Sequence, residues 1–460
     1  MTADPAPDVL AKACSEVREA GPDDEVAGVT PRFVASPADV AEAAALMRAA
    51  AAEGLTVVPR GSGTRLAWGC APTRCDLVLD TRRMNRVLEH AAGDQVVRVQ
   101  AGAGLDRLAG VLAEAGQRLA LDPPPGAASP PASGSLARAP GSPSPAAGND
   151  FAADTVGGVL ATGAAGPLRL RYGTPRDLAI GITVVRADGT VASSGGKVVK
   201  NVAGYDLGKL FAGSYGTLGL IVEAAFRLHP LPGAVSFVTV DCADAAAAHA
   251  AVAAAAESPL APSAAEIDRP SRRAPTRVGI LLEGDPDGVA ERAARMTELL
   301  GGGVASVSSA PPAWWGRGAA AAADGTVIRI AFWASALTGV LRAIDAAASA
   351  AELDLAVSGS AAAGVIYAAV DEHAAPAAVS ELVRALRAAL SHGPASPGPR
   401  PAPTAGPPSR ASVVVLHAPA DVRASVDLWG PVPALRLMRA VKDQFDPSRR
   451  LAPGRFAGGI

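Results

Sequence analysis

The residues best suited to chemistry in this chain are glycines, and they fall into two groups. The first group lies in residues 60–64 (RGSGT), and the second is spread through residues 154–232 between short apolar runs. Glycine adds no packing and costs backbone entropy, so this density predicts tight turns or a ligand that lies against the main chain. We interpret the two groups as the two sides of a site for one large phosphate-bearing cofactor.

The turn at residues 60–64 can bind an anion through its main chain. Successive N–H groups of such a turn form a concave nest, and the side chains of Arg60 and Arg65 can add charge-assisted bonds to a diphosphate. The turn lacks the Gly-Lys-Ser/Thr of a P-loop, and Leu66 occupies the place of the third glycine of a dinucleotide fingerprint. Taken alone, it favours a bare tight turn over an anion site, because Gly-Ser pairs commonly form turns.

The elements predicted around this turn place it at the end of a buried strand. Residues 55–59 are an apolar run that predicts the strand, and residues 36–52 predict a preceding helix with Ser36 as its N-cap. Beyond residue 232 the glycine density drops and strands alternate with single helices, including one that Ser335 can cap. This alternation predicts an α+β domain.

Composition and charge exclude several classes of protein. A chain of 460 residues is long enough for two or three domains, and 49% hydrophobic with 19% charged residues is typical of a soluble globular protein. A net charge of −2 and only 4% aromatic residues predict no nucleic-acid partner. No apolar run reaches the roughly 18 residues of a spanning helix, and no secretory signal is present. We therefore expect no transmembrane segment and a cytoplasmic protein, with peripheral attachment at the inner membrane face left open.

Cysteine and histidine spacing predicts no metal site. The cysteines are too scattered for a disulfide framework or an iron–sulfur cluster, and no two histidines are two or four residues apart. The residues concerned are Cys14, Cys70, Cys75, Cys242, His90, His229, His249, His373, His392 and His417. If the cofactor is a redox group, its electrons must leave through a separate acceptor.

Six blocks in a fixed order carry a family resemblance. They are PRGSGT, LDTRRMNRV, DTVGGVLATGAAGP, RYG, DLAIGITVVRADGTV and KNVAGYDLGKLFAGSYGTLGLIVEA. In this order they resemble the FAD-binding domain of the vanillyl-alcohol oxidase family, also called the PCMH-type flavin domain. The last block and the tail FDPSRRLAPGRFAGGI are most similar to the FAD-binding E subunits of bacterial glycolate oxidases.

The resemblance implies a fold and a set of domains. The fold class is α+β, with a two-subdomain PCMH-type FAD-binding domain at residues 31–232 and an α+β FAD-linked-oxidase domain at residues 233–460. An N-terminal segment, residues 1–30, precedes them. Two stretches rich in Pro, Gly, Ser and Ala, residues 123–149 and 391–410, are predicted to be disordered insertions.

The resemblance also implies the residues that hold FAD. The first turn would bind the diphosphate, the block after Asp154 would line the ribityl chain and flavin, and the last block would complete the pocket through its main chain. The residues so assigned are Pro59, Arg60, Gly61, Ser62, Gly63, Thr64, Thr155, Gly157, Gly158, Ala161, Thr162, Gly216, Thr217, Gly219, Ile221 and Val222. Relatives with covalent flavin often carry a histidine at the first turn; here Ser62 and Thr64 stand there, so FAD is expected to bind non-covalently. Tyr215 stands where many relatives have glutamate.

Oxidation of a hydroxy acid needs a group that binds the carboxylate and one that accepts the hydroxyl proton. Candidates for the carboxylate are Arg169, Arg171 and Arg176, and candidates for the proton are Lys197, Lys200 and Tyr205. We retain Arg171, Lys200 and Tyr205 as the catalytic candidates. The alternative is that the arginines are solvated loop charges and the lysines contact phosphate or a partner chain.

We therefore predict a FAD-binding oxidoreductase subunit of a glycolate or other 2-hydroxy acid oxidase complex. Its implied partners are a second flavoprotein subunit and an iron–sulfur subunit. Two alternatives stay open: a self-sufficient FAD-dependent dehydrogenase for another hydroxy acid or alcohol, and a non-catalytic assembly subunit that only holds FAD.

Overall fold

The computed structural model describes residues 6–125, 154–196, 206–318, 325–391 and 411–460. The candidates Lys197, Lys200 and Tyr205 lie outside the described residues, as do His392 and nearly all of the two predicted insertions. The described chain forms two compact units. Unit 1 takes the described parts of Met1–Ala165, Tyr172–Leu231 and Pro431–Ile460, and unit 2 takes those of Gly166–Arg171 and Pro232–Gly430.

Unit 1 begins with a small sheet of short strands. Its strands are β1 (Val17–Glu19), β2 (Phe33–Ala35), β3 (Val57–Arg60) and β4 (Leu77–Asp80), in the order β1-β2-β4-β3. Strands β2 and β3 run parallel to β4, and β1 is antiparallel to β2. All residues of β2 and β4 are buried, which is the pattern of strands covered on both faces.

A second sheet of unit 1 is antiparallel and has the order β5-β6-β10-β8-β9. Its strands are β5 (Val87–Ala91), β6 (Val96–Gln100), β8 (Ala179–Val185), β9 (Val191–Gly195) and β10 (Leu220–Arg227). A separate two-stranded sheet consists of β7 (Gln117–Arg118) and β11 (His229–Pro230). Two sheets of different type within one unit agree with the expected two-subdomain organisation.

The helices before residue 232 are α1 (Ala6–Ala13), α2 (Val40–Ala52), α3 (Leu105–Ala113), α4 (Val156–Thr162), α5 (Arg169–Tyr172), α6 (Pro175–Leu178) and α7 (Gly208–Phe211). The predicted start of α2 at Ser36 is wrong. Asp39 is the N-cap, and its side chain accepts a 2.9 Å bond from the N–H of Glu42. The Glu42 carboxylate in turn accepts from the N–H of Ala38 at 2.9 Å. These two acids bind N–H groups at the start of the helix, and the N-cap is therefore three residues later than predicted.

Unit 2 is built on one eight-stranded antiparallel sheet with the order β15-β12-β14-β13-β17-β18-β16-β19. Its elements are β12 (Ala234–Cys242), α8 (Ala245–Glu257), β13 (Ala264–Arg269), β14 (Thr276–Gly284), α9 (Pro286–Leu299), β15 (Ser306–Ser308), β16 (Thr326–Phe332), α10 (Leu337–Ala350), β17 (Leu355–Ser360), β18 (Val365–Val370), α11 (Pro376–Ser391), β19 (Ala411–His417) and α12 (Ala420–Ser425). The predicted α+β class is confirmed, but the one-to-one alternation is wrong. The sequence missed β13, β15 and β17, so the strands between α8, α9, α10 and α11 come in pairs. Helix α10 starts without a side-chain cap, so the role given to Ser335 is wrong.

The carboxyl-terminal residues belong to unit 1, although the sequence grouped them with the second domain. They include α13 (Leu435–Phe445) and a stretch that pairs with β3 through a parallel bridge between Val57 and Leu451. The N–H of Val57 donates to the carbonyl of Arg450 at 2.8 Å, and the N–H of Ala452 donates to the carbonyl of Val57 at 2.9 Å. This pairing joins residues almost 400 positions apart, so no local pattern reports it.

Among the helices that the structure describes, none is both long enough and apolar enough to span a membrane.

Candidate functional site

The first glycine turn leaves the small sheet of unit 1 at the carboxyl edge of its parallel strands. We call residues 61–64 loop A; they follow β3 directly, and the N–H of Thr81, just after β4, donates to the carbonyl of Arg60 at 2.8 Å. In open sheets with parallel strands, this edge is where ligands bind. Gly63 has a φ of +84°, and a Cβ placed there would meet only Arg60 Cδ at 4.0 Å. Loop A is therefore a turn with open space beside its main chain.

The main chain of loop A fits an anion. Within the described residues, the N–H groups of Gly61, Ser62, Gly63 and Thr64 donate to no protein acceptor. Three of these residues are only partly buried, so their donors lie within reach of a bound group. A turn with a positive φ that presents successive unpaired N–H groups is the geometry of an anion-binding nest.

The arginine side chains beside loop A have partners inside the protein. Arg60 is 9% exposed; its Nη1 lies 2.9 Å from Asp24 Oδ1 and its Nη2 lies 3.1 Å from Asp80 Oδ2. A hydrogen bond from Arg18, reinforced by the Gly21 N–H and by Arg60, lowers the pKa of Asp24. The guanidinium of Arg60 is thus committed to two carboxylates, so the N–H groups of loop A rather than this side chain are the donors left for a ligand.

Arg65 fastens loop A to the second glycine group. Its Nη1 and Nη2 donate to Oδ1 and Oδ2 of Asp154 at 2.5 and 2.9 Å, and Thr64 Oγ1 donates to the same carboxylate at 2.5 Å. The Arg65 guanidinium also lies 5.4 Å from the ring centroid of Trp68. A bidentate arginine–carboxylate pair of this kind fixes the relative orientation of the two groups and also adds binding energy. It brings together segments that are 90 positions apart in the chain.

Loop A touches the start of α4. An ideal Cβ on Gly61 would overlap Thr155 Oγ1 and lie 3.1 Å from Thr155 Cβ, so only glycine fits there. Thr155 is the N-cap of α4, and its side chain accepts from the N–H of Gly158 at 3.3 Å. A Cβ on Gly157 would lie 2.8 Å from Ala101 Cβ. These glycines therefore allow close packing within the protein, a role that the sequence did not assign to them.

A third segment, residues 212–219, joins the site and is called loop B here. Gly216 has a φ of +75°, and a Cβ on it would lie 3.2 Å from Pro59 Cγ, at the end of β3. The N–H groups of Gly213 and Tyr215 donate to the carbonyls of Leu160 and Ala161 in α4, both at 2.9 Å. Loop B is thus bonded to α4 and lies against the strand that leads into loop A.

The remaining predicted cofactor residues lie next to these loops within unit 1. Thr217 is buried and its hydroxyl donates to the carbonyl of Ser214 at 2.7 Å, whereas Thr162 donates to the carbonyl of Gly158 at 2.8 Å. Ile221 and Val222 belong to β10, and the carbonyl of Val222 accepts from the N–H of Ala101 at 2.9 Å. The structure therefore groups all sixteen predicted positions in one unit. Their contact with FAD stays a prediction.

Unit 2 contains a second polar cluster, described by itself. Glu266 on β13 is fully buried opposite Ser360 on β17, whose hydroxyl donates to the carboxylate. Arg169 lies close enough to act on this carboxyl electrostatically, and it donates to the hydroxyl of Tyr367 at 3.3 Å. Burial raises the pKa of Glu266 to about 7, while the Ser360 bond and the Arg169 charge act in the opposite direction. The cluster therefore contains a carboxyl group whose pKa lies close to neutral pH.

Of the three catalytic candidates, the structure describes only Arg171, which is exposed in α5. The sequence reasoning missed Glu266 because it missed the strand that carries it. The signal was present, since residues 264–269 (AAEIDR) place one acid between apolar neighbours. A strand assignment would have marked it as a buried carboxyl.

No group of three or more Cys, His, Asp or Glu side chains in the described part of the chain could hold a metal ion. None of the four cysteines, all of which the structure describes, forms a disulfide, and burial raises the pKa of the Cys75 thiol to about 12. The described histidines have local partners: for example, His90 Nε2 lies 2.9 Å from Gln117 Oε1, and His417 Nδ1 lies 2.8 Å from the carbonyl of Gly325.

The comparisons with known proteins agree with this geometry. Residues 31–141 match the family model described as FAD binding domain, a stretch that includes loop A. A superposition on p-cresol methylhydroxylase with substrate bound covers 98% of this chain and 96% of the other chain. The TM-score is 0.68 and the sequence identity is 14%. The chain therefore carries a FAD-binding domain and has the PCMH-type fold.

Curated relatives match a smaller share of the chain. A FAD-linked oxidoreductase of Mycobacterium tuberculosis, described as uncharacterized, is 32% identical over 268 residues, 58% of this chain and 53% of that protein. The glycolate oxidase subunit GlcD of Bacillus subtilis is 34% identical over 203 residues, 44% of this chain and 38% of that protein. A D-lactate dehydrogenase of Archaeoglobus fulgidus is 34% identical over 197 residues, 43% and 38% respectively. The chain spans about half or less of the length of these relatives.

Substitution Gly61→Ala tests the contact between loop A and α4. The added Cβ meets the Thr155 side chain, which is fixed as an N-cap, so the loop must shift at a cost of about 1–3 kcal/mol. We expect purified Gly61→Ala protein to retain much less FAD, measured from the ratio of flavin to protein absorbance. Gly110→Ala is the matched control, because nothing lies within 4 Å of its added Cβ in α3. Equal FAD retention in both variants would contradict the close contact.

Substitution Glu266→Gln tests the buried carboxyl. A folded pKa of about 7 against an ordinary value of 4.5 means that the folded chain keeps a proton that the unfolded chain has lost, so stability falls as pH rises between these values and is then constant. Glutamine cannot ionise. We expect the variant to be more stable than the parent at about pH 8, by at most about 3 kcal/mol, and no more stable at about pH 4.

The measurement is denaturant unfolding of the full chain at both pH values. Glu298→Gln makes the same change at an exposed position of α9 and should alter stability little at either pH. A Glu266→Gln variant that loses stability at the higher pH would indicate instead that Arg169 holds the carboxylate ionised.

Proposed function

We propose that this chain, which carries a FAD-binding domain, binds FAD non-covalently in unit 1 and acts as an oxidoreductase subunit for a 2-hydroxy acid. The observation that carries the proposal is the convergence of loop A, the start of α4 and loop B, three glycine-rich segments, within one unit. When bound, FAD supplies an acceptor for the two electrons released as a CH–OH group is oxidised to a carbonyl. The names of the glycolate oxidase subunit and the D-lactate dehydrogenase support a small 2-hydroxy acid as the donor.

The main chain of loop A would hold the diphosphate. Its unpaired N–H groups are neutral donors, and the adjacent guanidinium groups of Arg60 and Arg65 are already paired with carboxylates. Main-chain donors fixed in a turn need no reorganisation when the anion binds, which favours tight binding. Residues of α4 and loop B would contact the ribityl chain and the flavin.

Non-covalent binding follows from the side chains available at loop A. Ser62 and Thr64 stand there, and neither forms the stable carbon–nitrogen link that a histidine could form with a flavin. The Thr64 hydroxyl is also occupied by its bond to Asp154. Acid precipitation of the purified protein tests this point, because non-covalent FAD appears in the supernatant whereas covalent flavin stays in the pellet.

The partners are the finer part of the proposal. A flavin that has taken up two electrons must pass them to an acceptor before it can react again. The name of the Bacillus subtilis relative supports a place in a glycolate oxidase complex. The sequence motifs favour the position of the E subunit, and this resemblance implies an iron–sulfur subunit and a second flavoprotein as partners. The D-lactate dehydrogenase relative supports the second candidate, a self-sufficient dehydrogenase.

Anaerobic mixing of the purified chain with glycolate or D-lactate separates these functions. Loss of flavin absorbance with the chain alone supports the self-sufficient dehydrogenase. Loss only after partner subunits are added supports the oxidase complex. A bound flavin that neither donor reduces, with or without partners, would contradict the proposed activity. It would support the remaining alternative, a non-catalytic assembly subunit.

Substitution Ser62→Glu tests the diphosphate position. Ser62 is partly exposed in loop A, so the longer side chain can be accommodated, and its carboxylate would face the diphosphate. We expect the Kd for FAD to rise about tenfold or more, and less so in high salt, because like charges repel and salt screens them. Ser62→Gln has nearly the same shape without the charge and should leave the Kd within about threefold. Equal affinities in a fluorescence titration of the two apoproteins would place the diphosphate elsewhere.

A further inference from the structure

Helix α13 buries a lysine and exposes one of its two leucines. Within this helix, all of which the structure describes, Lys442 is the only buried residue, at 0% exposure, whereas Leu437 is 68% exposed. Helices usually bury an apolar stripe and leave lysine in water. Taking an ammonium out of water is costly unless every donor is paired, so this position needs a specific explanation.

All three donors of Lys442 have acceptors. Nζ lies 2.7 Å from the carbonyl oxygen of Thr217, 2.7 Å from Asp446 Oδ2 and 3.0 Å from the carbonyl oxygen of Leu451. An ammonium has three N–H groups, and these three acceptors use them all. The same Asp446 oxygen also accepts from the N–H of Leu451 at 2.7 Å. The buried pair is therefore fully satisfied.

One carbonyl acceptor belongs to loop B, and the other lies beside the strand that leads into loop A. Thr217 is in loop B. Leu451 lies beside β3 through its bridge to Val57, and β3 runs directly into loop A. Loop B also lies against the end of β3, where Gly216 meets Pro59. One buried ammonium thus bonds to loop B on one side and to the segment that carries the strand of loop A on the other.

We infer that Lys442 is a positioning residue of the cofactor site, which fixes the spacing between loop A and loop B. The inference rests on the proposed binding of FAD by both loops. A ligand that contacts two loops gains affinity when their separation is already set, because the second contact is then made at high effective concentration. A ligand that contacts only loop A gains nothing from this spacing.

The choice of lysine fits this role. The chain has five lysines among 42 basic residues, so arginine is its usual cation. Three acceptors around a single point suit a compact ammonium, whereas the planar fork of arginine spreads its donors over a wider area. Asp446, four residues later at the C-cap of α13, supplies the counter-charge.

The test compares FAD with ADP on the apoprotein. In Lys442→Met and in the double variant Lys442→Met/Asp446→Asn, we expect the Kd for FAD to rise about tenfold or more, while the Kd for ADP stays within about twofold. ADP carries the diphosphate but no flavin, so it reports on loop A alone. The double variant removes both buried charges and keeps an acceptor for the Leu451 N–H, so it covers the case in which the single variant does not fold.

Arg450→Met is the matched control. Arg450 lies in the same carboxyl-terminal stretch, but its side chain donates to the carbonyls of Ala51 at 2.6 Å and Ala187 at 3.3 Å, which belong to neither loop. We expect it to lower the thermal midpoint while leaving both dissociation constants near those of the parent.

Three outcomes would overturn the inference. These are parent-like FAD affinity in the double variant, an equal loss of affinity for FAD and ADP, or a loss of FAD affinity in Arg450→Met as large as that in Lys442→Met. The second and third would indicate that Lys442 acts only through general stability. A parent chain that binds no FAD would instead remove the proposed function, which the same titration reports before any variant is compared.

Discussion

The contact between loop A and the start of α4 is the constraint on which the candidate site depends. Two main-chain segments can approach this closely only where Gly61 has no Cβ to meet Thr155. The Arg65–Asp154 pair then holds the segments together from the other side of the loop. Because both charges are largely buried, the loss of either would leave the other unpaired, and this makes the junction sensitive to single changes.

The charged side chains at this junction form ion pairs within the protein. Arg60 and Arg65 were natural candidates for a diphosphate, yet both guanidinium groups are paired with carboxylates. The result is a turn whose own N–H groups have no acceptor among the described residues, while the flanking arginine side chains are paired with carboxylates of the protein. Neutral main-chain donors in a fixed turn attract an anion without the cost of burying further cations. The same logic extends to Lys442, whose charge is spent on carbonyl groups of the protein itself.

Unit 2 has a different character. Its large antiparallel sheet buries two acids, Glu266 and Glu283. The carboxyl of Glu266 accepts from a serine hydroxyl and has a neighbouring arginine. Desolvation outweighs both, which leaves a carboxyl that changes charge near neutral pH. A buried carboxyl of this kind lowers the stability of the fold at any pH at which it ionises. Apolar packing alone does not account for its presence in a sheet that is otherwise rich in Val, Ile and Ala.

The sequence by itself determined the FAD-binding domain, the strand that leads into loop A and the α+β class of unit 2. The domain follows from the order of six motifs that resemble a known family, whereas the strand and the class follow from short-range periodicity, which depends on neighbouring residues in the chain. Only the tertiary structure decided that Arg60 is paired with Asp24 and Asp80, that Gly157 packs on Ala101, and that residues 431–460 return to unit 1. The physical reason is distance along the chain: the bonds of Lys442 to Thr217 and of Val57 to Arg450 join residues hundreds of positions apart, and a local pattern carries no record of such partners.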